Sequence, residues 1–299
     1  MKAKTYFKAL RAPFLSGSVM PVLLGAAWAN VSASFHWPHF ILAVIGVAAL
    51  HSGANLINDW ADARGSDPIN VRLTPFSGGS RVIQDDGLAA ETVLKMSMLC
   101  YATALAVGLY MTLLYPWVGL LGVLGFLLGF LYSVNPFHLM SRGLGEAGIF
   151  FAFGPLVTLG GYYVIAGHMT WGAFFLGAPL GCLITAVVWI NEFPDFQADS
   201  ASGKHNLVVR LGMERARFVY AGLMAGAFVS LLLLVAAGFP AAMLLGLLAT
   251  PLAAKAVRIF WRNYADHEGI VPAQALTIQT QLAVGGLSSL GLLLAAWPG

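Results

Sequence analysis

Charge is what this sequence has least of. Asp, Glu, Lys and Arg make up 10% of 299 residues, against 59% hydrophobic residues and a mean hydropathy of +0.78. A soluble domain of this size cannot cover its surface with so little charge, so the composition excludes one and indicates a polytopic membrane protein. Cysteine is scarce as well. Cys100 and Cys182 stand alone in apolar runs without CxxC or metal spacing, which argues against a disulfide framework or a thiolate metal site. No segment alternates strictly between polar and apolar residues, which removes a β-barrel. There is no basic domain or charged tail suited to nucleic acid, and no motif indicates a protein partner.

Apolar stretches predict nine transmembrane helices in one all-α membrane domain, 1–299. They are helix 1 (14–33), helix 2 (39–58), helix 3 (92–114), helix 4 (117–133), helix 5 (145–166), helix 6 (171–192), helix 7 (216–237), helix 8 (239–258) and helix 9 (275–297). The basic N-terminus followed by an apolar run is read as a retained first helix, because the run is too long for a signal-peptide core.

The loops divide cleanly by charge. All sixteen Lys and Arg lie at the N-terminus or in or beside the loops after helices 2, 4, 6 and 8, and so do all thirteen Asp and Glu. The other loops and the C-terminal WPG carry none. The positive-inside rule then places the N-terminus in the cytoplasm and the C-terminus outside. Polar chemistry is confined to the cytoplasmic face, chiefly to two long loops at about 59–91 and 193–215.

Two of those helix ends echo one another. Helix 2 finishes LINDWAD and helix 6 finishes WINEFPD, both reading I-N-[DE]-x-x-D. At helical spacing His51, Asn55, Asn58 and Asp62 form one polar stripe with Asp59 beside it. Asn191, Asp195 and Asp199 form another, with Glu192 adjacent. Pro194 is expected to break the last turn of helix 6. Carboxylates at helix C-termini oppose the macrodipole at about 0.3–1 kcal/mol each, and two such ends repel unless something positive lies between them. Oxygen ligands without Cys or paired His suit Mg²⁺ bridging carboxylates to phosphates; two solvated helix ends are the plainer reading. Nearby cations, Arg11, Arg72, Arg81, Arg142, Lys204 and Arg210, with Gly78 and Gly79, offer a site for a diphosphate. Taken singly, each base reads better as a topology determinant or lipid headgroup partner than as a ligand; as a set opposite two acid clusters they suit a diphosphate.

These motifs resemble the UbiA superfamily of intramembrane prenyltransferases, whose two aspartate-rich motifs end helices 2 and 6. They are seen here as Asn58-Asp59-Trp60-Ala61-Asp62 and Asp195-Phe196-Gln197-Ala198-Asp199. LYSVNPFHLMSRGLGE, 131–146, resembles the family's tyrosine-containing stretch. DWADARGSD, TPFSGGSRVIQDDG and KHNLVVRLG are most similar to the branch acting on 1,4-dihydroxy-2-naphthoate in menaquinone biosynthesis. The resemblance implies a bacterial-type inner-membrane enzyme with its site on the cytoplasmic side. It implies Mg²⁺ held by Asn58, Asp59, Asp62, Asp195, Asp199 and Glu192, and a prenyl diphosphate assisted by Lys204, Arg81, Arg142 or Arg11. Tyr132 would face the allylic carbon or the diphosphate, and His51 and Asn55 the aromatic acceptor. Asp67, five residues after Asp62, marks the branch. Acceptors of the 4-hydroxybenzoate or homogentisate type are the nearest alternatives. An ion-coupled transporter is the alternative from another class, but no ionisable residues run through to the opposite face. A CDP-alcohol phosphotransferase would pack its acids into a single segment, whereas here about 130 residues separate them.

Overall fold

The computed structural model describes residues 2–31 and 33–296. Its described residues are helical, without strands. Eight helices are long and apolar enough to cross a membrane: helix 1 (Ala12–Ala29), helix 2 (Trp37–Asp62), helix 3 (Ala90–Leu114), helix 5 (Gly145–Ala166), helix 6 (Trp171–Ala201), helix 7 (Met213–Ala236), helix 8 (Ala241–Asn263) and helix 9 (Val271–Ala295). Helix 4 (Trp117–Ser133) is equally apolar but has only 17 residues. At 1.5 Å per residue it extends about 25 Å, short of a typical hydrocarbon core.

The helices bearing the acid motifs run past their expected ends. Helix 2 continues to Asp62 and helix 6 to Ala201, so the acids occupy the last helical turns. Hydropathy ends where polar side chains begin, whereas backbone hydrogen bonding continues while the side chains find partners. The expected break at Pro194 is corrected too, because the helix passes straight through it. Proline removes one intrahelical bond, and the segment is held by other contacts. Phe193 packs edge-on to Phe260 at 4.8 Å, and the Trp189 indole N–H donates to the Ala216 carbonyl at 2.9 Å.

The two larger apolar cores frame the molecule. One joins helices 6, 7, 8 and 9 around Trp189, Phe193, Tyr220 and Phe260. The other joins helices 1, 3 and 5 around Ala26, Met111 and Tyr162. Helix 5 meets helix 6 backbone to backbone: a Cβ on Gly154 would lie 2.6 Å from the Gly181 Cα. The same stretch, Ala152–Leu156, is a π-helical turn containing Pro155. Such widened turns interrupt regular bonding and are common where helices line a site. Between helices 1, 2, 4, 5 and 6 a cavity remains.

Candidate active site

The cavity encloses about 240 Å³. Its floor is apolar, with Leu50, Leu128, Phe153 and Val187 among its walls; its mouth is formed by the two polar loops. Around it stand the two stripes read from the sequence: His51, Asn55, Asn58 and Asp62 from helix 2, and Asn191, Glu192, Asp195 and Asp199 from helix 6. Tyr132, Lys204 and Arg11 also line it. Residues about 130 positions apart thus share one space.

Local hydrogen bonds explain why each acid holds its position. Asp62 is buried, accepts from the Asn58 amide at 3.1 Å and pairs with the Lys204 ammonium at 2.7 Å. Lys204 also lies 3.6 Å from Asp199 and donates to Ser66 at 2.8 Å. It therefore bridges the two acid motifs, supplying part of the positive charge their proximity demands. Burial works to lower its pKa, but the charges of Asp62 and Asp199 outweigh this and hold it above the ordinary value.

The lysine is placed by its own loop. Asn206 caps the Leu207–Leu211 helix by accepting from the Val209 N–H at 2.8 Å, while its amide donates to Asp199 at 3.0 Å. The Leu207 N–H donates to Glu146 at 2.6 Å, tying this loop to the start of helix 5. Asp195 reaches the other way, accepting from the Asn70 amide at 2.7 Å and the Gly78 N–H at 3.1 Å. The second motif thereby clasps the first motif's loop.

Three sequence candidates are placed differently. Asp59 turns away from the cavity; its carboxylate accepts from Arg11 and from the Ser80 hydroxyl. Arg81 donates to the Asp67 carbonyl at 2.5 Å and pairs with Asp85 at 3.1 Å, outside the cavity lining. Arg142 is exposed and donates to the Pro136 carbonyl at 2.7 Å, also outside it. Asp59 stands one step off the Asn58–Asp62 stripe and is drawn aside by Arg11 and Ser80, whereas Glu192, equally one step off its own stripe, lines the cavity.

Sequence reasoning passed over Ser66, Asn70, Asn206 and Glu146 as participants, placed Asn191 on the second stripe without a role, and gave Asp67 only a diagnostic role. Asp67 is buried and lines the cavity mouth. Burial, then the charges of Asp62 and Asp59, push its pKa up to about 7. Ser66, Asn70 and Asn206 are polar and close downstream of an acid motif, which was the available cue, whereas Glu146 stands at the start of helix 5, far along the chain from both motifs.

Gly79 turns the loop beneath these groups at φ +76°. A Cβ there would stand 3.1 Å from Asp67 Oδ2 and 3.3 Å from Asp59 Oδ1. Gly79→Ala is expected to destabilise the protein by about 1–2 kcal/mol through left-handed backbone strain. Thermal unfolding in detergent checks this, and an unchanged midpoint would contradict it.

Five carboxylates line the cavity, Asp62, Asp67, Glu192, Asp195 and Asp199, against two bases, Arg11 and Lys204. One Glu192 carboxylate oxygen is buried without a hydrogen-bond partner. Among the described residues no three of His, Cys, Asp and Glu converge tightly enough to cage a metal alone. An acidic wall with unsatisfied oxygen but no complete cage fits Mg²⁺, which keeps waters and shares its coordination with substrate phosphates.

Residues 18–297 match the model of the UbiA prenyltransferase family. The chain belongs to that family. It is a membrane prenyltransferase. Among its relatives, the 1,4-dihydroxy-2-naphthoate octaprenyltransferase of Escherichia coli (strain K12) is 29% identical, covering 99% of this chain and 97% of the relative. That of Mycobacterium tuberculosis (strain ATCC 25618 / H37Rv) is 31% identical over 81% of each. Solved UbiA homologues share the fold. The apo protein from Aeropyrum pernix K1 aligns with TM-score 0.69 and 17% identity, covering 93% of this chain and 97% of that one. A homologue from Archaeoglobus fulgidus, bound to GPP and Mg²⁺, aligns with TM-score 0.64 and 15% identity, covering 94% and 99%.

Proposed function

We propose that this family member transfers a prenyl chain from an allylic prenyl diphosphate to 1,4-dihydroxy-2-naphthoate, in menaquinone biosynthesis, with Mg²⁺. The observation that carries the reading is the convergence of both acid motifs and Lys204 at the polar mouth of a cavity with an apolar floor. A diphosphate needs the first and a prenyl tail the second. The naphthoate assignment rests on the relatives, several of which carry that name at about 30% identity over most of the chain.

In this reading Asn58, Asp62, Asp195 and Asp199 hold the metal, with Glu192 and Asp67 adjoining. When bound, Mg²⁺ neutralises diphosphate charge and so favours departure of the leaving group. Lys204 and Arg11 add positive charge at the same mouth. Ionisation breaks the allylic C–O bond, and its electron pair leaves with the diphosphate. An electron-rich ring carbon then forms the new C–C bond, and the naphthoate carboxylate leaves as carbon dioxide. Tyr132 presents an aromatic face to the developing cation, while the apolar walls exclude water that would quench it. His51 and Asn55, deeper on the helix 2 stripe, contact the acceptor. The whole chain forms one domain of nine spans in a bacterial-type inner membrane, with the N-terminus and the site on the cytoplasmic side and the C-terminus outside. Helix 4 counts as the ninth span because a short apolar helix can be accommodated by local bilayer thinning.

Purified protein in phospholipid vesicles, given a labelled prenyl diphosphate and Mg²⁺, should prenylate the naphthoate in preference to 4-hydroxybenzoate or homogentisate. EDTA should stop turnover and added Mg²⁺ restore it. No product with any acceptor, or turnover indifferent to EDTA, sinks the proposal; preference for another acceptor sinks only the naphthoate assignment.

A further inference from the structure

The two asparagines of the repeated Ile-Asn-acid segment hold opposite hydrogen-bonding commitments. The Asn58 amide N–H groups are engaged, donating to Asp62 at 3.1 Å and to the Ser133 hydroxyl at 3.1 Å. Its carbonyl oxygen is left open, as a cation ligand requires. In Asn191 the carbonyl is engaged instead: it accepts from the Gln274 amide of helix 9 at 2.9 Å. Its own NH₂ is left open, and Asn191 lines the cavity. An N–H donor cannot ligate a cation, so the two matching positions serve different partners.

Depth identifies that partner. Asn191 precedes Asp195 by four residues, about 6 Å further from the polar mouth along helix 6. On helix 2, Asn55 precedes Asn58 by three, and its buried Nδ2 has no hydrogen-bond partner. Both cavity walls therefore carry an uncommitted amide donor inward of the metal-facing acids, Asn191 about one turn from Asp195 and Asn55 about two turns from Asp62. An allylic donor whose diphosphate sits among Asp62, Asp195 and Asp199 is hydrocarbon at that depth. The oxygen-bearing molecule there is the acceptor.

We infer that Asn191 is an acceptor-binding residue that donates to an oxygen of the aromatic substrate, and that Gln274 is the positioning residue that holds its amide in the donating orientation. This deepens the proposed prenyltransferase reading and rests on it. Gln274 is buried at 1% exposure and lies outside the cavity lining, so it acts only through Asn191. The assignment separates recognition of the acceptor by amide donors from recognition of the donor by carboxylates and metal.

Gln274→Glu is the decisive variant. In its ionised form the introduced side chain only accepts, so it calls for the Asn191 amide to turn over and present oxygen to the cavity. The acceptor KM should rise about tenfold, while kcat, the KM for prenyl diphosphate and the Mg²⁺ requirement stay within about twofold. Asn191→Ala should raise the acceptor KM similarly, and adding Gln274→Glu to it should cause no further rise. Gln274→Met, close in volume and without a strong donor, should show a smaller rise and covers the case in which the charged variant fails to fold. Effects on donor KM or metal requirement, additive effects in the double variant, or an unchanged acceptor KM in every variant that folds would overturn the inference. The wild-type protein in the same assay separates the two readings: absence of turnover with any aromatic acceptor is failure of the prenyltransferase proposal, not of the asparagine assignment.

Discussion

Asp62→Asn is expected to lower turnover by about 10³-fold without unfolding the protein, because it removes a metal-facing charge where diphosphate charge must be neutralised. The neighbouring Asp59→Ala should behave in the opposite way. Asp59 is buried, bonded to Arg11 and Ser80, and outside the cavity lining. Removing it leaves a largely covered guanidinium without its partner. The expected loss of stability is about 2 kcal/mol, below the range for fully buried pairs because Arg11 is 22% exposed. The pair is compared by steady-state kinetics, metal titration and thermal unfolding. Near-normal turnover in Asp62→Asn, or a strong change in Mg²⁺ requirement with unchanged stability in Asp59→Ala, would reverse the roles assigned to these two acids.

Lys204→Met should separate two quantities that an ordinary metal-site variant moves together. The lysine stands 2.7 Å from Asp62 and 3.6 Å from Asp199, so it shares the carboxylates expected to hold the metal. Without it the acids repel one another, and a divalent cation binds them more tightly, by about tenfold at an effective dielectric near 20. A positive charge facing the diphosphate is lost at the same time, and kcat/KM for the prenyl donor should fall at least about 100-fold. Metal binding is measured by calorimetry on the protein without prenyl donor, and catalysis separately. Weaker metal binding in this variant would show that the ammonium supports the cation site instead of sharing its ligands. Lys204→Arg should restore only part of the activity, since a planar guanidinium does not reproduce the compact charge that reaches Asp62, Ser66 and Asp199 together.

The I-N-x-x-x-D echo shows both the reach and the limit of reading the chain alone. Spacing identifies the members of each stripe because side chains three and four residues apart share a helical face, and Asn58, Asp62, Asn191, Asp195 and Asp199 all line the cavity. The same spacing counts Asp59 with the first stripe and Glu192 with the second. It does not reveal that Arg11 and Ser80 occupy Asp59, nor that Arg81 and Arg142 are engaged with the backbone beyond the site. Those choices depend on which loop passes which helix.

The membrane class, the positions of the apolar helices and the two acid motifs were determined by sequence, because hydrophobic length and helical period are local properties. Where helices 2 and 6 end was decided by tertiary structure. So was the bridging position of Lys204, and so were the opposite orientations of Asn58 and Asn191. Each depends on a partner far along the chain: Asn70 for Asp195, Asp62 for Lys204, Gln274 for Asn191. A polar group near a membrane interior takes the orientation its partner allows, and folding alone brings that partner within reach.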